Sequence, residues 1–319
     1  MKPLFIDAQI NVVPPTEPIE VKISGNARCM RGKSASYVRH IEFDLAGTAL
    51  AGTFVPGQSI GVRPVGEDAE GRPHGIRFYS ISSPTIGEDG EGQVVSTTCK
   101  RLIDEFVPED GGPPAPANGL HLGVCSNYLC SLASGESVWV TGPVGKKFLL
   151  PSAPDEHDYL FMATGTGIAP FRGMIKDLLY GPNGPTSSQI HLVMGVPYTS
   201  DLLYDDFLQA AASEHANFHY HPVMSREPET QDTAPGYVHD YVARTPVLAQ
   251  ALLSNPRTLL YLCGLKGMQI GIFRYLVEQG QAENFLRIPR RLAGTDPAEW
   301  TAQDISRLRP EARCMVEVY

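Results

Sequence analysis

No apolar run in this chain approaches the roughly 18 residues that a membrane-crossing helix requires. The first 14 residues have neither the basic start and apolar core of a secretory signal nor the Arg- and Ser-rich character of a transit peptide. The expected location is therefore the cytoplasm. Positive charge is in short supply: 26 Lys and Arg stand against 35 Asp and Glu, a formal net charge of −9. That balance argues against nucleic acid as a partner, and an acidic protein could be met only through a local basic patch. Cysteine is sparse, six in 319 residues, and the six are expected as thiols rather than disulfides. Cys125 and Cys130 have the spacing that opens a plant-type iron–sulfur motif, but its third position is Ala133. No cluster and no metal site is expected.

What the chain does have is punctuation. Its 31 glycines and 27 prolines divide the first half into short β-rich stretches at residues 36–44, 59–63, 76–81, 93–100 and 137–141. Turn signals such as Pro56-Gly57 and Ser134-Gly135 lie between them. Short strands at this spacing predict a barrel or sandwich, and residues 108–119 (PEDGGPPAPANG) read as a loop by composition. The second half changes rhythm. Apolar runs at 159–163, 190–195, 218–223, 259–263 and 315–318 alternate with helical patterns near 170–179, 202–212, 239–253 and 268–279. Such alternation predicts a parallel sheet, here five-stranded, covered by helices on both faces. The expected architecture is a two-domain α+β chain. An extension over residues 1–20 precedes an antiparallel β-barrel over 21–152 and an α/β domain over 153–319.

Four segments carry chemistry. TGTGIAP at 164–170 follows an apolar strand and precedes a helix. Its glycines let backbone approach a ligand, and the helix start offers free N–H groups to a phosphate. The spacing is not that of the usual G-x-G-x-x-G fingerprint, and a plain strand-to-helix turn would read the same way. In RFYS, Arg77 and Tyr79 fall on one face of a strand and Ser80 on the other; a ring beside a guanidinium suits a flat, phosphate-bearing ligand. Gly123-Val124-Cys125-Ser126 could open a helix and bind an oxyanion through its N–H groups, or simply cap it. The sequence ends Val316-Glu317-Val318-Tyr319, and a terminal aromatic is either accidental or set where the chain must stop.

Together these segments resemble plant-type ferredoxin–NADP⁺ reductases from about Val21 to Tyr319. The matching segments fall in the family's order: PGQSIGV at 56–62, RFYSISS at 77–83, KRL at 100–102, GVCSNYLC at 123–130, TGPVGKKFLLP at 141–151, GTGIAPFR at 165–172, GVPYTSDLLY at 195–204, SRE at 225–227, CGLKGM at 263–268 and the terminal VEVY.

The resemblance implies FAD on the barrel domain and NADP(H) on the α/β domain. It implies that Arg77 contacts the FAD pyrophosphate, that Tyr79 stacks on one flavin face, and that the Ser80 hydroxyl reaches toward flavin N5. Val124, Cys125 and Ser126 add pyrophosphate contacts. Tyr319 covers the opposite flavin face and must move for the nicotinamide to stack, which would account for the chain ending there. Cys263, with Gly264, lies beside the hydride-transfer position, and Glu317 acts with Ser80 in moving protons toward N5. Thr166 and Gly167, with Gly195, Val196 and Pro197, form the nucleotide-side turns. Ser225, Arg226 and Tyr237 hold the 2′-phosphate and adenine, and Lys100 contacts NADP(H). An Arg and hydroxyls are what a dianionic phosphate requires.

The chain departs from the family pattern in four places: Pro235 replaces a lysine, His239 a glutamine, Asp104 the tyrosine that stacks on the FAD adenine, and the LCV before KRL reads Thr97-Thr98-Cys99. The Pro-rich loop after Asp104 could supply a substitute. The implied activity is electron transfer between NADP(H) and a ferredoxin or flavodoxin, docked transiently on local cations. Candidate cations are Arg28, Arg31, Lys33, Lys100, Arg101, Lys146 and Lys147. A reductase component serving an oxygenase, such as one acting on aromatic-acid CoA thioesters, is the alternative oxidoreductase. A flavin-binding sensor without turnover is the alternative class.

Overall fold

In the computed structural model, residues 3–34, 36–107, 119–182, 184–227 and 234–319 are described. The chain forms two compact units, one of residues 8–29 and 35–145, the other of residues 1–7, 30–34 and 146–319.

The first unit is built from β1 (Ile19–Arg28), β2 (Val38–Asp44), β3 (Ser59–Arg63), β4 (Arg77–Ser80), β5 (Val94–Lys100), β6 (Ile103–Glu105), β7 (Leu120–Leu122), α1 (Val124–Ser131) and β8 (Ser137–Val144). Six strands pair antiparallel in the order β4-β3-β8-β1-β2-β5. The two edges meet through an antiparallel bridge between Ile81 and Thr97, supported by the Ser82 N–H on the Ser96 carbonyl at 2.8 Å and the Thr97 hydroxyl on the Ser80 carbonyl at 2.7 Å. The two ends of the six-stranded sheet thus meet at this bridge. Alternating side chains fill the inside: Ile23, Ile41, Phe43, Ile60, Val62, Val138 and Val140 are buried, and α1 adds Leu129 and Cys130 to the same core. Among the described residues β6 and β7 pair only with each other. Residues 108–118, most of the expected Pro-rich loop, lie outside the described residues.

The second unit holds β9 (Asp158–Thr164), α2 (Ile168–Tyr180), β10 (Ile190–Val196), α3 (Asp205–Glu214), β11 (Phe218–Met224), α4 (Val238–Arg244), α5 (Pro246–Ser254), β12 (Thr258–Gly264), α6 (Lys266–Glu278), α7 (Ala282–Phe285), β13 (Leu286–Arg287), α8 (Ala302–Ser306), β14 (Arg309–Pro310) and β15 (Cys314–Val318). Five strands form a parallel sheet in the order β11-β10-β9-β12-β15. β10 and β12 are buried along their whole length, as both-faced burial demands of a central parallel strand. One face packs Leu160, Met162, Leu260 and Leu262 against α4, α5 and α6. The other carries an aromatic group in which Phe161 stacks on Phe171 at 4.8 Å and meets Tyr261 edge-on at 5.3 Å.

The single helix expected over 239–253 is two, α4 and α5, broken at Thr245. Pro246 has no N–H to continue the ladder and disfavours helical backbone at the residue before it. The helix expected from 202 begins at Asp205 instead, because Leu202 and Leu203 are extended: the Leu202 carbonyl accepts from the Arg31 N–H, and Leu203 bridges Met30. Among the described residues no helix is long and apolar enough to cross a membrane.

Candidate functional site

On the barrel unit, β4 and α1 bring the expected flavin residues together. Arg77 is exposed, and its guanidinium donates to the Gly75 and Ile76 carbonyls at 3.4 and 3.2 Å. Tyr79 is half-buried with its hydroxyl against the thiols of Cys99 and Cys125; burial, then the neighbouring thiols, raise its pKa far above the usual phenol range. Burial also raises the Cys125 thiol, opposed by the Tyr79 hydroxyl and the Arg77 charge. Ser80 is half-buried beside Tyr79.

α1 starts at Val124 after Gly123, with no side-chain cap and no acidic residue in its first turn. Its first N–H groups therefore have no intrahelical acceptor and form a positive dipole end. A Cβ on Gly123 would sit 2.8 Å from the Leu102 Cβ and 2.7 Å from the Ser126 Oγ, so only glycine lets the chain turn this closely. The Ser126 hydroxyl accepts from the Leu102 N–H at 3.1 Å and donates to the Gly123 carbonyl at 3.2 Å, so it serves the turn itself. Lys100 is exposed at the end of β5. Asp104 pairs across strands with His121 on β7, a ring that the family pattern does not point to.

On the α/β unit, the strand order reverses direction at β9 and β12, the switch point outside whose carboxyl ends open α/β sheets bind ligands. There the Thr164–Gly167 turn and the Cys263–Gly264 strand end interlock. A Cβ on Gly167 would overlap the Cys263 carbonyl, and one on Gly264, at φ +135°, would overlap the Thr164 hydroxyl. The Thr164 Oγ1 also accepts from the Leu265 N–H at 2.8 Å, an anchoring role that the sequence motifs leave unmarked.

Glu317 lies in register with Cys263 across β12 and β15. Cys263 is buried, and burial with the Glu317 charge pushes its thiol well above the usual range. Tyr319 is 65% exposed; its N–H donates to the Gly264 carbonyl at 3.0 Å and its hydroxyl lies 2.7 Å from the Thr166 hydroxyl.

At the adjacent strand ends, the Ser225 N–H donates to the Val196 carbonyl and the Arg226 N–H to the Pro197 carbonyl, each at 2.9 Å. The Gly236 N–H closes on the Met224 carbonyl at 3.0 Å, which sets Tyr237 near Ser225 and Arg226. Arg226 is exposed. Tyr237 is 63% exposed and stacks on His239 at 5.6 Å and 11°. Gly195 is pinned under α4, where a Cβ would come within 2.7 Å of the Val238 Cγ2.

One helix start free of acid lies beside a half-buried tyrosine, and a glycine-built crevice lies at a sheet switch point. These are what an oxidoreductase needs to hold a flavin dinucleotide and a pyridine nucleotide, and this chain falls in that class. The oxidoreductase NAD-binding domain family matches residues 161–272. A ferredoxin–NADP reductase of Thermosynechococcus vestitus is 34% identical over 317 residues, spanning 98% of this chain and 76% of that one. One from Spirulina is 36% identical, spanning 83% and 88%. The Arabidopsis thaliana root isozyme 2 is 33% identical, spanning 98% and 77%. The solved ferredoxin–NADP⁺ reductase of Plasmodium falciparum with 2′P-AMP shares the fold at a TM-score of 0.69 and 22% identity, over 99% of this chain and 100% of that one. The chain belongs to the ferredoxin–NADP reductase family, whose members are FAD- and NADP-dependent oxidoreductases.

Proposed function

We propose that this chain exchanges electrons between NADP(H) and a one-electron carrier protein, a ferredoxin or flavodoxin, with the roles divided as follows. The observation that carries the reading is the interlock of Gly167 with Cys263 and of Gly264 with Thr164, a crevice with no room for side chains and open to backbone-bound phosphate. The chemistry that FAD would supply here is the exchange of one hydride, two electrons, with NADP(H) for single electrons with the carrier protein.

The donor set fits that group. The Arg77 guanidinium and the N–H groups of Val124, Cys125 and Ser126 hold its pyrophosphate, with no acidic residue in the first turn of α1 to compete. Tyr79 stacks on the ring system. The Ser80 hydroxyl and the Glu317 carboxyl move the proton toward N5. Cys263 and Gly264, with Thr166, Gly167, Gly195, Val196 and Pro197, orient the nicotinamide and its pyrophosphate, and Lys100 adds a charge toward the nucleotide. Tyr319 shields the reacting face from water and yields to the nicotinamide. Ser225, Arg226 and Tyr237 take the 2′-phosphate and adenine.

Arg226→Ala tests the nucleotide half. Losing a charge-assisted contact of roughly 1.5–3 kcal/mol weakens NADPH about tenfold or more and leaves NADH nearly unchanged. Equal losses for both nucleotides, read from anaerobic titrations, would remove Arg226 from the 2′-phosphate site.

A further inference from the structure

Inside the barrel unit lies a thiol cluster that the proposed mechanism leaves unused. Cys99 on β5 and Cys130 on α1 are both buried, and their sulfurs are 3.8 Å apart. All six cysteines are thiols. Closing this gap to a disulfide of about 2 Å shortens the sulfur–sulfur separation by under about 2 Å.

The two sulfurs are not equivalent. Cys130 donates to Cys99 at its sulfur and at its carbonyl, the latter at 3.6 Å, while Cys99 turns its own hydrogen toward the Ser126 carbonyl at 3.9 Å. Two guanidinium charges, those of Arg101 and Arg39, act on Cys130, and the buried Arg101 Nε has no hydrogen-bond partner among the described residues. Once Cys130 is the thiolate, the Cys99 S–H can turn to donate to it; that hydrogen bond, with the Arg101 and Arg39 charges, lowers Cys130 against the opposing effect of burial, while the same bond and burial raise Cys99. A low thiol beside a high one is the arrangement of an attacking and a resolving cysteine. Arg101 is only partly buried: it bonds the exposed Ser131 hydroxyl at 2.9 Å and lies 4.7 Å over the Tyr37 ring. Arg101, half-buried and acting on Cys130, marks the side from which a molecule the size of peroxide would reach the sulfur.

We propose that Cys99 and Cys130 form a reversible disulfide, driven by a small hydroperoxide, that fastens α1 to β5. The Cys130 thiolate attacks one peroxide oxygen; an S–O bond forms, the O–O bond breaks, and the departing oxygen leaves as water after taking a proton. Cys99, giving up its proton, then attacks the Cys130 sulfur; the S–S bond forms, the S–O bond breaks and a second water leaves. The thiol pair loses two electrons and two protons, and one peroxide is reduced to two waters. α1 begins with the N–H groups assigned above to pyrophosphate, and the Tyr79 hydroxyl lies against Cys99. The consequence for flavin binding rests on that assignment; the disulfide does not.

The experiment treats the holoenzyme with hydrogen peroxide, alkylates the remaining thiols after denaturation and maps the peptides. The expected result is loss of two of the six thiols, recovered as one peptide pair joined through Cys99 and Cys130 and separated again by dithiothreitol. In Cys99→Ser the reaction stops at a sulfenic acid on Cys130, trapped by a dimedone-type reagent; in Cys130→Ser, Cys99 stays a thiol. Survival of all six thiols, oxidation at Cys29 alone, or a bridge that includes Cys125 would each overturn the proposal. The mapping of the unmodified chain stands whether or not either variant folds.

Discussion

At Asp104 the family pattern calls for an aromatic ring, and in this chain the ring sits one strand away. His121 lies opposite Asp104 in the β6–β7 pair, among exposed Leu102, Ile103, Leu120 and Leu122. A stacked ring is worth about 0.5–1.5 kcal/mol beyond its area. His121→Ala is therefore expected to weaken FAD about two- to tenfold, read from the flavin fluorescence released on dilution; unchanged retention would place the adenine elsewhere. No pattern along one strand could have singled out His121, because the pairing depends on a strand that comes much later in the chain. Ser126 shows the opposite case. Its motif was legible, but its hydroxyl is spent on Leu102 and Gly123, so what it can offer a phosphate is its backbone N–H.

Elements were legible wherever one physical signal dominated. β3 falls on residues 59–63 as expected, and β9, β10, β11, β12 and β15 each extend the expected run by one or two residues; β9, β10 and β12 are the clearest, because strands buried on both faces leave a continuous apolar signature. β1 is absent from the candidate strands although Ile19, Val21 and Ile23 alternate with polar residues. Its second half, from Gly25, is polar and shifts register against β2. The short pieces α7, β13, α8 and β14 also escaped, being too brief to show a period. The Gly165–Gly167 turn was readable as a motif, but its meaning lies in what faces it. Gly167→Ala places a methyl group against the Cys263 carbonyl, a backbone atom that no rotamer change can move aside. The expected outcome is a loss of about 1–3 kcal/mol in stability with a rise of about tenfold or more in the KM for NADPH, while FAD stays bound. Parent-like KM in a folded variant would take the crevice out of nucleotide binding.

For the whole molecule, charge and protonation set two further expectations. A chain of net charge −9 repels an acidic carrier unless cations cluster locally. Of the cations expected to do this, Arg31 is held by the buried Asp205 carboxylate at 2.6 Å, and Arg101 by Ser131 and Tyr37. Lys33, Lys146 and Lys147 are exposed, and all three belong to the α/β unit. Reversing Lys146 and Lys147 together to Glu should slow reduction of an acidic ferredoxin at low salt and leave ferricyanide reduction unaltered. A slowing that persists at about 0.15 M salt, where the Debye length is near 8 Å, would point to a structural defect instead. The second expectation concerns acid. Across β10 and β11 three histidines stack: His191 on His219 at 4.4 Å and on His221 at 5.6 Å, with the Tyr241 hydroxyl 2.8 Å from the His221 Nδ1. Burial, then the neighbouring histidines, hold His191 down to about 3, with Asp158 opposing; burial, then His219, hold His221 down to about 4. Both are neutral in the folded chain and near 6.5 in the unfolded one. The unfolded state therefore binds more protons as pH falls, so the stability they contribute is full above about pH 6.5 and drains away toward pH 3–4. At pH 5 the loss amounts to roughly 2–4 kcal/mol for the pair. Thermal unfolding between pH 7.5 and 5 should show Tm falling in the parent, and falling less in a His191→Leu/His221→Phe double variant, which lacks both of these imidazoles and keeps only His219 of the stack. An equal fall in both would assign the acid sensitivity to other groups.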